Sequence, residues 1–281
     1  MNADKTNYDL LYNPRLTVTG YEEIFARWDR DSERARARLD CYLDVPYGTA
    51  DSETLDLFRA RGESRGLLMY VHGGFWRALD KKRFSFVAPA LVESGITVAV
   101  VDYALCPAVQ VSDIVMQMVQ ASAWLYRNGA NFGAPAARLT VCGHSAGGHL
   151  AAMMLACEWP RYSPDLPKKV VSGAMSISGV YDLTEIVKVP SVNGDVRLTE
   201  KTAIRVSPAF MPPASDAPLY TAIGTDEIEG FHIQNRLIAE RWGKTRRADI
   251  SCTGKNHFTV LDDLCHPRCP LYRSLVELAT R

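Results

Sequence analysis

Three short stretches of this chain hold residue types at spacings suited to acyl transfer. In Gly143-His144-Ser145-Ala146-Gly147 a serine has a glycine two residues away on either side. A strand that turns abruptly into a helix at such a serine exposes its hydroxyl as a nucleophile and leaves no room for side chains at the two glycines. Alone, G-x-S-x-G is a weak signal. Its surroundings strengthen it: the apolar run Leu139-Thr140-Val141-Cys142 precedes it, and helix-forming Leu150-Ala151-Ala152-Met153-Met154 follows.

The second stretch is His72-Gly73-Gly74-Phe75-Trp76, directly after another apolar run. Its glycines can turn backbone N–H groups toward a developing oxyanion, with the N–H of Ala146 completing the hole. The third is Gly254-Lys255-Asn256-His257-Phe258, near the end of the chain. In a serine-type site of this kind the chain order is Ser, then acid, then His, which makes His257 the base. Between them, Thr225-Asp226-Glu227-Ile228-Glu229 offers three carboxylates after a strand. Any of them can hold the imidazole and stabilise its cation. The remaining histidines have other roles: His72 braces the oxyanion loop, His144 and His149 flank the serine, His232 lies on a helix face and His266 in a surface turn.

The elements that must position these residues alternate between strand and helix. Tyr42–Tyr47 and Thr54–Arg59 read as early strands, followed by Leu67–Val71, Ile96–Val101, Leu139–Cys142, Val170–Ile177, Pro218–Ile223 and Asp249–Cys252. Helices are expected over Lys82–Glu93, from a cap at Ser112 to Asn128, over His149–Cys157 and over Phe231–Trp242. This alternation predicts one domain over residues 1–281 with a mostly parallel, doubly wound sheet, and the serine elbow set within it makes the expected architecture an α/β-hydrolase fold. Residues 1–40 are polar and helix-prone, with interleaved tyrosine, phenylalanine and tryptophan, and read as an extension wrapped onto the body. Residues 182–214 interrupt the rhythm and read as a small cap or lid insertion.

Composition narrows the class further. The 281 residues are 47% hydrophobic, enough for a sizeable core, and 32 Lys+Arg balance 32 Asp+Glu. A general nucleic-acid surface would show a clustered basic excess, so no nucleic acid partner is expected. No apolar run approaches the roughly 20 residues of a membrane span, and no secretory leader is evident at the start, so the expectation is a cytoplasmic enzyme without a membrane partner. A homodimer is compatible with the sequence. Seven scattered cysteines read mostly as small core residues; Cys265-His266-Pro267-Arg268-Cys269 lacks the repeated spacing of a four-ligand zinc site. Neither metal nor cofactor is expected, and the partner is a small-molecule substrate.

Across nearly its whole length the chain resembles the kynurenine formamidase (arylformamidase) group of α/β-hydrolases, with the bacterial esterases grouped with it. The resemblance rests on the loop, elbow and Asn256-His257-Phe258 motifs above, and on Val45-Pro46-Tyr47-Gly48, Leu55-Asp56-Leu57-Phe58, Val101–Pro107, Ser178–Leu183 and Ser207-Pro208. It implies Ser145 as nucleophile, His257 as base and Gly73, Gly74 and Ala146 as oxyanion donors. That group shows an acid, two residues, then Glu-Phe, with a Gln three positions on. Anchoring on Phe231 and Gln234 points to Glu227, but Gly230 stands where the group has Glu, so Asp226 stays in contention. The implied activity is hydrolysis of a small acyl amide or ester with an aromatic leaving group, N-formylkynurenine first. A carboxylesterase, amidase or carbamate hydrolase is the alternative, and a non-catalytic binding protein would need a broken triad. Phe75, Trp76 and Tyr181 are candidates to line the aromatic side, and Lys201 and Arg205 to meet a substrate carboxylate.

Overall fold

Runs of β-branched and apolar residues set the centre of the molecule, because such strands can be buried on both faces only inside a sheet covered by helices. In the computed structural model, which describes residues 6–135 and 138–281, eight strands form one sheet. They are β1 (Cys41–Pro46), β2 (Thr54–Phe58), β3 (Gly66–Val71), β4 (Ile96–Val101), β5 (Leu139–His144), β6 (Val171–Ile177), β7 (Leu219–Gly224) and β8 (Arg246–Cys252). The spatial order is β1-β2-β4-β3-β5-β6-β7-β8. β2 runs antiparallel to both β1 and β4, and every later pairing is parallel. All residues of β3, β4, β5 and β7 are buried.

Among the described residues twelve α-helices accompany the sheet. In chain order they are α1 (Tyr8–Tyr12), α2 (Tyr21–Arg38), α3 (Ala88–Glu93), α4 (Val111–Asn128), α5 (Ala146–Ala156) and α6 (Trp159–Tyr162). Then follow α7 (Thr184–Val187), α8 (Pro190–Val196), α9 (Glu200–Arg205), α10 (Glu229–Arg241), α11 (Val260–Leu264) and α12 (Pro270–Thr280). Successive residues of a strand face opposite sides, and β3 divides accordingly. Leu67, Met69 and Val71 pack into a core with α4, α5 and α10, whereas Leu68 and Tyr70 join a second core with α2, α3 and α12.

Among the boundaries that differ from those expected, three have a local cause. Lys82–Glu93 is a 3-10 segment, Lys81–Val87, followed by α3, with Pro89 in the first turn of the new helix. Proline fits there because the missing N–H has no intrahelical partner. α4 is capped at Gln110, whose N–H donates to Asp113 at 2.9 Å, rather than at Ser112. β8 begins at Arg246 rather than Asp249; it is an edge strand, where alternate charged residues reach solvent and blunt further pairing.

Residues 6–40 are an integral part of the body. α2 presents Tyr21, Phe25 and Trp28, and Trp28 packs on Phe84 and Phe86 at 5.6 and 5.3 Å between ring centroids. Arg83 clamps Asp29 through two hydrogen bonds of 2.6 and 2.8 Å, and Ser32 Oγ donates to the Arg83 carbonyl. Residues 182–214 fold into α7, α8, α9 and a 3-10 turn, Pro208–Phe210. Among the described residues no helix is long and apolar enough to cross a membrane.

Candidate active site

β5 ends at His144, α5 starts at Ala146, and Ser145 between them is held at φ 57°, ψ −118°. This left-handed conformation costs a non-glycine residue about 1–3 kcal/mol and persists only where the surroundings enforce it. Here they do. The Ser145 N–H donates to the Ile177 carbonyl at 2.8 Å, tying the turn to β6. A Cβ at Gly147 would lie 2.0 Å from the Val71 carbonyl oxygen, and one at Gly143 would lie 2.0 Å from that of Gly147. Both glycines are therefore demanded by backbone crowding. The N–H of Ala146 sits in the first turn of α5, where helix donors lack an internal partner.

The His72–Trp76 loop crosses beside this turn at the end of β3. Buried Tyr103 donates its hydroxyl to the His72 carbonyl at 2.9 Å, and His72 Nδ1 donates to the Gly73 carbonyl at 2.8 Å. Both carbonyls are thereby occupied, and among the described residues no backbone acceptor takes the N–H of Gly73 or Gly74. The His72 ring is stacked between Tyr103 and Phe84, at 4.2 and 5.7 Å.

Glu227, not Asp226, reaches the imidazole. His257 Nδ1 donates to Glu227 Oε2 at 2.7 Å, and both side chains are buried. Glu227 Oε1 accepts from the Gly224 N–H at 2.9 Å and from the Ser178 hydroxyl. Asp226 points outward, exposed, with Thr225 Oγ1 donating to it at 3.0 Å. Adjacent residues in a turn diverge, and here the backbone of the turn is set by the Asp226 N–H donating to the Lys255 carbonyl. His257 is held from two more sides. His144 Nε2 donates to its carbonyl at 2.7 Å, and Phe231 lies against its ring with centroids 4.1 Å apart. Burial, followed by the neighbouring His257, pushes His144 well below the ordinary histidine range, so it is a neutral donor.

Ser145, His144 and His257 share one cavity of about 40 Å³ with Gly73, Gly74 and Phe75. No hydrogen bond joins the Ser145 hydroxyl to the imidazole in this state, and such contacts often tighten only around substrate. Two expected wall residues lie elsewhere. Trp76 is fully buried, donating its indole N–H to His149 Nδ1 at 3.2 Å, while His149 Nε2 donates to the Val206 carbonyl at 2.6 Å. Burial pushes His149 down to about 4, so this bridge is neutral, and it anchors the loop to α5. Tyr181 is likewise buried, with its hydroxyl donating to Ser176 Oγ at 2.8 Å. Each polar tip is satisfied inside the core, which withdraws both rings from the cavity.

The walls also include residues that the motifs did not single out. Phe25, Trp28, Phe84 and Phe258 supply aromatic faces, and Asn13, Pro14, Arg15 and Arg77 form the polar rim. Only the helical spacing of Tyr21, Phe25 and Trp28 hinted at such a role in the sequence. No residue of 182–214 lines this cavity, which corrects the lid expectation; Lys201 and Arg205 are absent from it as well. The segment instead buttresses the rim, through Ser191 beneath Asn13 and Asp195 against Arg77. Among the described residues no group of three His, Cys, Asp or Glu is placed to hold a metal; the Cys265 thiol points to the backbone carbonyls of Phe86 and Leu261.

A mostly parallel eight-stranded sheet with a left-handed serine at a strand–helix junction defines a hydrolase of the α/β class. The family model for the alpha/beta hydrolase fold matches residues 68–231. The chain belongs to the kynurenine formamidase-like α/β-hydrolases and is a hydrolytic enzyme. It is 30% identical to a kynurenine formamidase of Danio rerio, over 88% of this chain and 85% of that protein. A kynurenine formamidase of Drosophila melanogaster is 34% identical, over 70% and 67%. A solved structure from Silicibacter sp. TM1040, described as a candidate thioesterase, superimposes with a TM-score of 0.84 at 30% identity, covering 96% of this chain and 98% of that one.

Proposed function

We propose that the protein is an arylformamidase that cleaves the formamide of N-formylkynurenine, or of a close relative, through a serine acyl-enzyme. His257 Nε2 takes the Ser145 proton as Oγ attacks the formyl carbon, and Glu227 stabilises the resulting imidazolium. The tetrahedral oxyanion is received by the N–H groups of Gly73, Gly74 and Ala146, fixed in advance of reaction. Collapse expels the arylamine, which gains its proton from His257. Water, deprotonated by the same imidazole, then attacks the formyl ester and releases formate.

The observation that carries this reading is the 2.7 Å Glu227–His257 hydrogen bond at the cavity that also holds Ser145 in its left-handed turn. Substrate class follows from the cavity and the relatives. The aromatic faces of Phe25, Trp28, Phe75 and Phe258 suit an aryl leaving group. Two relatives at 30 and 34% identity are kynurenine formamidases. A cytoplasmic location goes with this reading, and all seven cysteines are free thiols, as a reducing compartment keeps them.

Hydrolysis of short-chain esters or thioesters is the second reading, favoured by the Silicibacter structure. Comparing kcat/KM for N-formylkynurenine with that for short-chain aryl and thiol esters separates the two. A preference for the formamide by orders of magnitude supports the first. Efficient ester turnover with negligible formamide cleavage would sink it.

A further inference from the structure

An unneutralised cation stands at the mouth of the cavity, on a part of the chain that carries none of the catalytic motifs. Residues 13–15 bridge α1 and a 3-10 turn, Pro14–Leu16, and all three line the cavity. Their placement is enforced. Asn13 Nδ2 donates to Ser191 Oγ at 3.0 Å, its Oδ1 accepts from the Arg15 N–H at 3.2 Å, and Tyr12 packs edge-on against Phe231. The Arg15 guanidinium lies over the rings of Tyr21 and Phe25, 5.9 and 5.7 Å from their centroids.

The other cations around it are already paired: Arg77 with Asp195, and Arg83 with Asp29. Among the described residues no carboxylate lies within salt-bridge distance of Arg15. Arg15 is exposed at the rim, and partial desolvation there, aided by Arg77 and Arg83 and opposed by Tyr21 and the more distant Glu22, holds it below the ordinary arginine value. A cation in that position gains by receiving an anion. Neutral acyl transfer at Ser145 has no use for one, and the oxyanion already faces backbone N–H groups across the cavity.

We propose that Arg15 is a specificity-determining residue that binds a carboxylate carried by the leaving group. The substrate class is therefore aryl amides or esters whose aromatic portion bears an acidic side chain. The guanidinium meets that carboxylate as a planar, two-pronged donor, with Phe25 holding both the cation and the aryl ring. This deepens the reading of the same site under Proposed function, and it rests on that reading for the identity of the scissile bond.

The test uses two substrate pairs that differ only in charge. One is N-formylkynurenine with its side-chain carboxamide; the other is 4-acetoxyphenylacetate with 4-acetoxyphenylacetamide. The quantity read is the ratio of kcat/KM for the anionic over the neutral member, in the full chain, for wild type, Arg15→Gln and Arg15→Lys. Charge-assisted hydrogen bonds of this kind predict a wild-type ratio above one that falls about 10–100-fold in Arg15→Gln. Arg15→Lys should retain part of it, and added salt should lower it in the wild type. An unchanged ratio in Arg15→Gln, with both members slowed alike, would show that Arg15 only braces Tyr21 and Phe25 and would overturn the proposal. Failure of both formamides beside cleavage of the esters would remove the formamidase reading, and the ester pair would still decide Arg15.

Discussion

Replacing Glu227 by glutamine preserves length and volume but reverses what His257 meets. In the wild type Oε1 is engaged by two donors, the Gly224 N–H at 2.9 Å and the Ser178 hydroxyl, while Oε2 accepts from His257 Nδ1 at 2.7 Å. The same two donors will hold the glutamine carbonyl oxygen in the Oε1 position. Its NH₂ then faces Nδ1, and a hydrogen bond can form only if the imidazole moves its proton to Nε2. That tautomer cannot accept a proton from Ser145. The charge is lost too: two unit charges ~4 Å apart at an effective dielectric of about 20 interact by about 4 kcal/mol. That corresponds to about 10³ in rate, applied to the imidazolium that forms in the transition state. We therefore expect Glu227→Gln to lower kcat by about 10²–10⁴, and Asp226→Asn, which alters an exposed side chain, by less than about tenfold. Steady-state kcat for both variants, after circular dichroism establishes folding, measures this. A crippled Asp226→Asn beside a healthy Glu227→Gln would refute the reasoning and transfer the acid to Asp226.

Ser145→Ala should fold normally and lose about 10⁴–10⁶ in kcat, and an organophosphonate that labels the wild type should leave it unmodified; more than a few per cent of residual activity would exclude a serine nucleophile. Gly230→Ala should destabilise the protein by about 1–3 kcal/mol, because its Cβ would lie 2.3 Å from the Leu11 carbonyl and 2.8 Å from the Tyr12 ring. Thermal melts read this directly, and an unchanged Tm would mean that the N-terminal arm is not seated as described. His149 titrates near 4 in the fold against about 6.5 unfolded, so below pH 6.5 the unfolded chain takes up a proton that the native one refuses. Stability is then fully present above pH 6.5 and falls by up to about 3 kcal/mol by pH 4, with His144 acting in the same direction. Urea midpoints across that range should fall less steeply for His149→Gln; identical slopes would remove His149 as a cause.

The elbow, the oxyanion loop and the order of strands and helices are local properties, and the sequence alone determines them. Gly143 and Gly147 flank Ser145 because backbones cross within van der Waals distance there, and that demand falls on residue type at a fixed offset. The strands β3, β4 and β5 are equally readable, since burial on both faces requires an unbroken apolar run. Choosing between Asp226 and Glu227 is different. It depends on how the turn after β7 meets the Lys255 carbonyl of another loop and on Ser178 at the end of β6, and neither contact is encoded near the two carboxylates. The withdrawal of Trp76 from the cavity was likewise settled by a partner far along the chain, His149, whereas the hydroxyl of Tyr181 turns back to Ser176 on the preceding strand. Gly230, which in the sequence only departs from the pattern of the resembling group, is in the fold the seat of Leu11 and Tyr12. The tertiary structure also brings Asn13, Pro14 and Arg15 to the mouth of the site, with Asn13 anchored to Ser191, 178 positions away. Side chains that act within one turn or strand carry their meaning in local spacing. Those that close a cavity are selected by which distant segments pack together, and that is decided only when the two cores form around the sheet.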